Sequence, residues 1–156
     1  AGGPCLSKDG LFLDNNTTFS SIVSTAWKVN ESIPQHVINK IKEIKGNIFG
    51  IEIGVLGLSF KQGSDDLRNS PSLKLVELLK AAGAIVKIHD PFVKNTSSLD
   101  QVLQNSEIII IATNHLEFKN IIKDLNQSKI KIIYDVWAMF KKEDFDSAKY
   151  LKLGQG

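Results

Sequence analysis

The chain has 156 residues, 42% of them apolar and 23% charged, with a formal net charge of +2 at pH 7. Such a chain can bury one core rather than remain disordered. Its small charge excludes nucleic-acid or membrane-surface binding as a global property, its single cysteine excludes an internal disulfide framework, and no apolar run approaches the ~20 residues that span a bilayer. A reducing cytoplasm is the expected compartment.

The first element is a motif. Gly2-Gly3-Pro4-Cys5-Leu6-Ser7-Lys8-Asp9 sets the only cysteine in a glycine/proline frame beside a cation and a carboxylate. A thiol attacks carbonyls as its thiolate, an ammonium such as Lys8 favours that form, and a carboxylate such as Asp9 can orient a water or accept its proton. On residue types alone, a free cysteine near a chain end is the weightier reading. After a polar stretch over 14–18, Phe19, Ile22, Val23, Ala26 and Trp27 recur at helical spacing. A second helix is expected near Ser32, with Pro34 in its first turn and Val37, Ile38, Ile41 and Ile44 on one face before Gly46.

From Ile51 onward, strand and helix alternate: strands over 51–57, 85–89, 108–112 and 130–134, and helices over 72–82, 98–103 and 116–125. The strands are short, continuous apolar runs, the pattern of parallel strands buried on both faces. Ser70-Pro71 supplies a cap and first-turn proline to the helix that follows, and Gly83 a left-handed stop. The fold class is therefore α/β, a doubly wound parallel sheet over 47–156 preceded by a helical segment within 1–46.

In such sheets ligands bind outside the carboxyl ends of the strands, where the loop after the first strand carries Lys61 and Arg68. Lysine grips phosphate as a point charge and arginine as a fork, although Arg68 could equally pair with Asp65 or Asp66 to hold the loop closed. His36, His89 and His115 lack a second ligand at metal spacing, so they read as solvated or core histidines and no metal is expected. Trp137, in Tyr134-Asp135-Val136-Trp137-Ala138-Met139-Phe140, could stack on a base or cap the sheet, and the core position is the weightier. Gly54-Val55-Leu56-Gly57 has the wrong spacing for a dinucleotide loop.

Taken together, Gly54-Val55-Leu56-Gly57-Leu58-Ser59-Phe60-Lys61, a short loop, Asp66-Leu67-Arg68-Asn69-Ser70, a helix and Ile88-His89-Asp90-Pro91 resemble the carboxy-terminal domain of the nucleotide-sugar 6-dehydrogenases. That family, which includes UDP-glucose, GDP-mannose and UDP-N-acetylmannosamine dehydrogenases, reads G-L-(A/S)-F-K, a loop, D-x-R-x-S, a helix, then Y-D-P. The segment around Cys5 resembles its catalytic loop G-G-(S/P/H)-C-x-x-(K/V)-D, and Val29-Asn30-Glu31 its V-N-E/D on the connecting helix.

The resemblance implies a Rossmann-like sheet over 47–156 that binds the nucleotide-sugar, and over 1–46 part of a central helical domain through which the enzyme forms a homodimer. It implies that Phe60 and Lys61 contact the nucleotide-sugar substrate, that Asp66 organises their loop, and that Arg68 reaches an NAD held mainly by an amino-terminal domain this chain lacks. The implied reaction oxidises the sugar C6 alcohol to a carboxylate with two NAD per turnover. Cys5 forms a thiohemiacetal and then a thioester, Asp9 orients the hydrolytic water, and Lys8 supports Cys5 electrostatically. The chain alone is then expected to be inactive. The sequence departs from the family at His89, where tyrosine is usual, and after Asp135, where many members carry a phosphate-holding arginine. Pro4 before Cys5 tilts the substrate toward an acetamido-hexose. The alternative is a stand-alone nucleotide-binding or scaffolding module, which the retention of Cys5, Lys8 and Asp9 disfavours.

Overall fold

Four consecutive isoleucines, Ile108 to Ile111, are each fully buried, which requires a strand covered on both faces; each such side chain contributes about 1.5–3 kcal/mol. The computed structural model places them in strand β3 and describes residues 2–5 and 20–154 of the chain. Lys8, Asp9 and Phe19 lie outside the described residues.

The elements follow the order α1 (Ser20–Lys45), β1 (Glu52–Leu56), α2 (Pro71–Ala81), β2 (Ile85–His89), α3 (Leu99–Asn105), β3 (Ile108–Ile111), α4 (Ile122–Gln127), β4 (Ile132–Asp135) and β5 (Lys149–Lys152). Short 3-10 turns occupy Leu116–Asn120 and Lys142–Asp144. All neighbouring strands pair in parallel, in the order β2-β1-β3-β4-β5. Alternate side chains of each strand feed two cores. Ile53, Val55, Ile108, Ile110, Ile132 and Tyr134 pack under α1 and α2, whereas Leu56, Ile109, Ile111 and Ile133 pack under α3, α4 and the turn before α4. The doubly wound α/β sheet expected from the sequence is thus the observed architecture.

Local chemistry accounts for the boundaries. Ser70 Oγ accepts the Ser72 amide at 3.2 Å with Pro71 in the first turn, and Gly83 closes α2 at φ +81°. Ser98 and Gln101 form a reciprocal capping box on α3. Gly54 lets α3 lie close, since a Cβ there would come within 2.5 Å of Ile109 and Val102.

Two expectations are corrected, and one strand was not anticipated. The two helices read around Ser32 form one helix, α1, with Pro34 inside it. A proline removes one amide donor from a helix interior, and burial of Pro34 itself and of Val37, Ile38 and Ile41 against the core carries the helix through. The single helix read over 116–125 is a 3-10 turn followed by α4. Strand β5 gave no apolar run, because it is an edge strand with exposed lysines at both ends and only Tyr150 fully engaged with the core.

Candidate functional site

Strand register brings Leu56, His89 and Ile111 level with one another, and Ile111 level with Asp135, so the loops after β1, β2, β3 and β4 open on one edge of the sheet. Gly57 turns the chain out of β1 at φ +91°, where a Cβ would strike Thr113. The loop beyond it is pinned on several sides. Ser70 Oγ donates to Leu58 O at 2.6 Å, Thr113 Oγ1 to Ser59 O at 2.7 Å, and Ser59 Oγ to Lys61 O at 2.9 Å. The Phe60 amide donates to Asp66 O at 3.2 Å.

Beneath the loop lies a buried pair, Asp90 and His115. Asp90 Oδ2 accepts the amides of Leu58 (2.6 Å) and Ser59 (3.2 Å), Oδ1 those of Phe92 (2.9 Å) and Val93 (3.2 Å), and His115 Nε2 stands 3.1 Å from Oδ2. Burial alone would raise the Asp90 pKa, but the His115 bond and the amides of Leu58, Phe92 and Ser59 outweigh it and hold the carboxyl well below its usual range. Among the histidine readings, the core one fits His115, which is fully buried. His36 is exposed, and His89 Nδ1 lies 2.9 Å from Ser97 O.

Phe60 adjoins residues 2–5. The Gly3 amide donates to Asn69 O at 3.3 Å, a Cβ on Gly2 would come within 2.5 Å of Pro71 and 3.0 Å of Phe60, and one on Gly3 within 2.9 Å of the Phe60 ring. Both glycines are therefore required by the close approach of the Cys5 segment to the Phe60 loop. Cys5 is a free, exposed thiol, and the Lys61 side chain is exposed.

Arg68 grips Asp66: its Nε lies 3.0 Å from Oδ1, its Nη2 2.6 Å from Oδ2, and its own amide donates to Oδ1 at 3.0 Å. The Arg68 side-chain bond, with the Arg68 amide, lowers the Asp66 pKa to about 2. Arg68 is raised in turn, first by Asp66 and last by the nearby Cys5. The Arg68 side chain remains 71% exposed.

A cavity of about 350 Å³ opens here, lined by Gly2, Ser59, Phe60, Ala112, Val136 and Trp137 among others. Trp137 is not a core residue, contrary to the sequence reading: it is 46% exposed. Asp135 takes the buried position instead, its carboxylate accepting the amides of Trp137 and Phe140 at 3.0 Å each and the Tyr150 hydroxyl at 2.9 Å. That reversal throws Trp137 outward, and its indole N–H donates to Ala112 O at 2.9 Å, which holds the ring at the cavity wall. Sequence reasoning assigned no role to Ser59 or Thr113 and gave His115 only a solvated or core reading, with no part in the site. The only signal for Asp90 was its place in a motif.

The described residues do not form a dinucleotide cradle. Such a cradle needs a helix amino-terminus directly behind the glycines of a strand, whereas α2 begins only at Pro71 and its end is capped by Ser70. Among the described residues no group of three or more His, Cys, Asp or Glu side chains could hold a metal, and no helix is long and apolar enough to cross a membrane.

Residues 54–142 match the family model described as UDP-glucose/GDP-mannose dehydrogenase family, UDP binding domain. The chain is 40% identical over 126 residues to the UDP-N-acetyl-D-mannosamine dehydrogenase of Pyrococcus horikoshii, covering 77% of this chain and 30% of that protein. The solved structure of the UDP-D-ManNAc dehydrogenase from Pyrococcus horikoshii superposes with a TM-score of 0.87 at 32% identity, covering 100% of this chain and 39% of that one. That of the NDP-N-acetyl-D-galactosaminuronic acid dehydrogenase from Methanosarcina mazei Go1 gives 0.89 at 26% identity, covering 99% and 38%. The chain thus spans about a third of the length of these relatives.

Proposed function

The chain belongs to the UDP-glucose/GDP-mannose dehydrogenase family, and from that premise we propose that it carries the nucleotide-sugar-binding domain and catalytic-cysteine loop of an NAD-dependent nucleotide-sugar 6-dehydrogenase. One observation supports this above the others: the Cys5 segment packs through Gly2 and Gly3 onto Phe60, and Gly2 lines the cavity at the strand ends, so the segment that carries the free thiol borders the crevice in which such sheets bind ligands. The substrate is proposed to be a UDP-N-acetylhexosamine, or failing that a UDP-hexose. Its likeness to enzymes named for N-acetylated sugars supports that order.

In this reading Phe60 and the exposed Lys61 meet the nucleotide-sugar, with Lys61 toward the diphosphate. Cys5 Sγ adds to the C6 aldehyde carbon while the aldehyde oxygen takes a proton, giving a thiohemiacetal. At the acid level of oxidation the same carbon is held as a Cys5 thioester, until water oriented by Asp9 releases the carboxylate and restores the thiol. Lys8 supports the thiolate. NAD supplies the hydride acceptance, and it is proposed to be held mainly outside this chain, with Arg68 as its contact from here. A homodimer through the α1 region of residues 1–46, apart from the sugar-binding unit of 47–156, and a cytoplasmic site of action complete the proposal.

The test is turnover by the full-length protein with NAD and UDP-N-acetyl-D-mannosamine, UDP-N-acetylglucosamine or UDP-glucose. Two NADH per carboxylate is the expected stoichiometry. Tight UDP-sugar binding without NADH would favour a non-catalytic nucleotide-binding module instead.

A further inference from the structure

We propose that His115 is a positioning residue for the nucleotide-sugar loop: through a single tautomer it ties the Gly63 amide to the Asp90 carboxylate and so sets where Lys61 stands. The inference rests on the assignment of Lys61 to the nucleotide-sugar and deepens it.

His115 is fully buried, between the rings of Phe92 (centroids 5.0 Å apart) and Phe118 (5.6 Å), so it has no route to a ligand itself. Its two nitrogens meet different elements. Nδ1 lies 3.1 Å from the Gly63 amide, which can only donate, so Nδ1 carries no proton. The ring proton is then on Nε2, directed at Asp90 Oδ2 at 3.1 Å, with Ser59 Oγ at 3.2 Å as a second acceptor. Ser59 Oγ in turn donates to Lys61 O. The main chain on both sides of Gln62 is thereby fixed to the end of β2. A loop that presents a cation to a diphosphate has to be held by supporting bonds of this kind.

A role confined to stability does not explain the Gly63 contact. Asp90 already receives four backbone amides, and Gly63 lies in an exposed stretch where water could satisfy its N–H. What the bond adds is location.

Two variants of the full-length protein separate the ends of the ring. In His115→Gln the side-chain amide nitrogen reaches the place of Nε2 and keeps the donor for Asp90 but offers Gly63 nothing. In His115→Asn the side-chain oxygen falls at the place of Nδ1 and keeps the acceptor for Gly63 but leaves Asp90 short. Loss of one neutral hydrogen bond predicts ~5-fold faster amide exchange over 60–66 in His115→Gln, with KM for UDP-N-acetyl-D-mannosamine up by ~5-fold and kcat within ~2-fold. His115→Asn should recover most of that KM while losing thermal stability. Unaltered loop exchange in His115→Gln, or parallel losses of stability and KM in the two variants, would overturn the inference. Independently of any variant, imidazole nitrogen shifts of the wild-type protein should report an unprotonated Nδ1 and a protonated Nε2; the reverse overturns it. Exchange and shifts need no substrate, so failure of the proposed function is seen separately, as absent turnover in the wild type.

Discussion

Arg68 and Asp66 form a two-pronged ion pair two residues apart in the chain, closed on one side by the Arg68 amide and open to solvent on the other. Sequence reading left Arg68 between holding its own loop and reaching outward, and the geometry accommodates both, because the pair uses Nε and Nη2 while the side chain stays largely exposed.

The pair sets an acid limit on the loop. Asp66 ionises at about 2 in the folded chain, below the ~3.9 of an unperturbed aspartate. A carboxylate with a depressed folded pKa contributes stability that is complete above the unfolded value and is lost as pH falls through the folded one. Loop order, followed by amide exchange over 64–70, should therefore weaken between about pH 4 and about pH 2. Arg68→Ala should bring the Asp66 titration, read by NMR, back toward the ordinary aspartate range. A titration in that variant still centred where it is in the wild type would mean the guanidinium is not the cause.

Lys61 is expected to act on affinity. If its ammonium makes a charged hydrogen bond to the diphosphate, Lys61→Ala should lose about 1.5–3 kcal/mol of UDP-sugar binding by titration calorimetry. Equal heats and affinity in both proteins would make Lys61 a solvated surface cation.

The two residues proposed for the chemistry serve different steps. In the full-length enzyme, Cys5→Ala should abolish carboxylate formation while sparing aldehyde formation, because only the second oxidation needs the thiol. Asp9→Asn should instead slow hydrolysis, so that mass spectrometry finds the sugar's mass on the Cys5 peptide. Carboxylate made at the wild-type rate by Cys5→Ala would return Cys5 to a bystander.

The amino-terminal half of α1 exposes Ile22 (69%) and Val29 (58%), seven residues apart and so on one face of the helix, with Trp27 (43%) nearby. Apolar surface of this kind favours self-association. Sedimentation of the full-length protein should show a dimer, and Ile22→Glu with Val29→Glu should shift it toward monomer. A wild-type protein that sediments as a monomer at every concentration would remove the dimer from the proposal.

Much of this protein was determined within short stretches of its sequence. The runs through Ile53, Ile109 and Ile133 dictated buried parallel strands, because a strand covered on both faces excludes unpaired polar side chains from either. Ser70-Pro71 and Gly83 placed the ends of α2 through local hydrogen bonding and backbone freedom. The motifs around Cys5 and Lys61 pointed, by resemblance, to the candidate site proposed above. Tertiary structure decided what depends on partners distant in the chain. Pro34 stays within a helix because Val37, Ile38 and Ile41 are buried on the sheet, and Lys149–Lys152 is a strand because β4 offers its edge. Asp135 rather than Trp137 is buried because Tyr150 supplies a hydroxyl. His115 meets Asp90 across 25 residues and Gly63 across 52 only because β1, with its loop, lies between β2 and β3 in the sheet. Periodicity records which face a side chain takes, whereas the bond it makes there depends on strand order, which no local stretch of sequence contains.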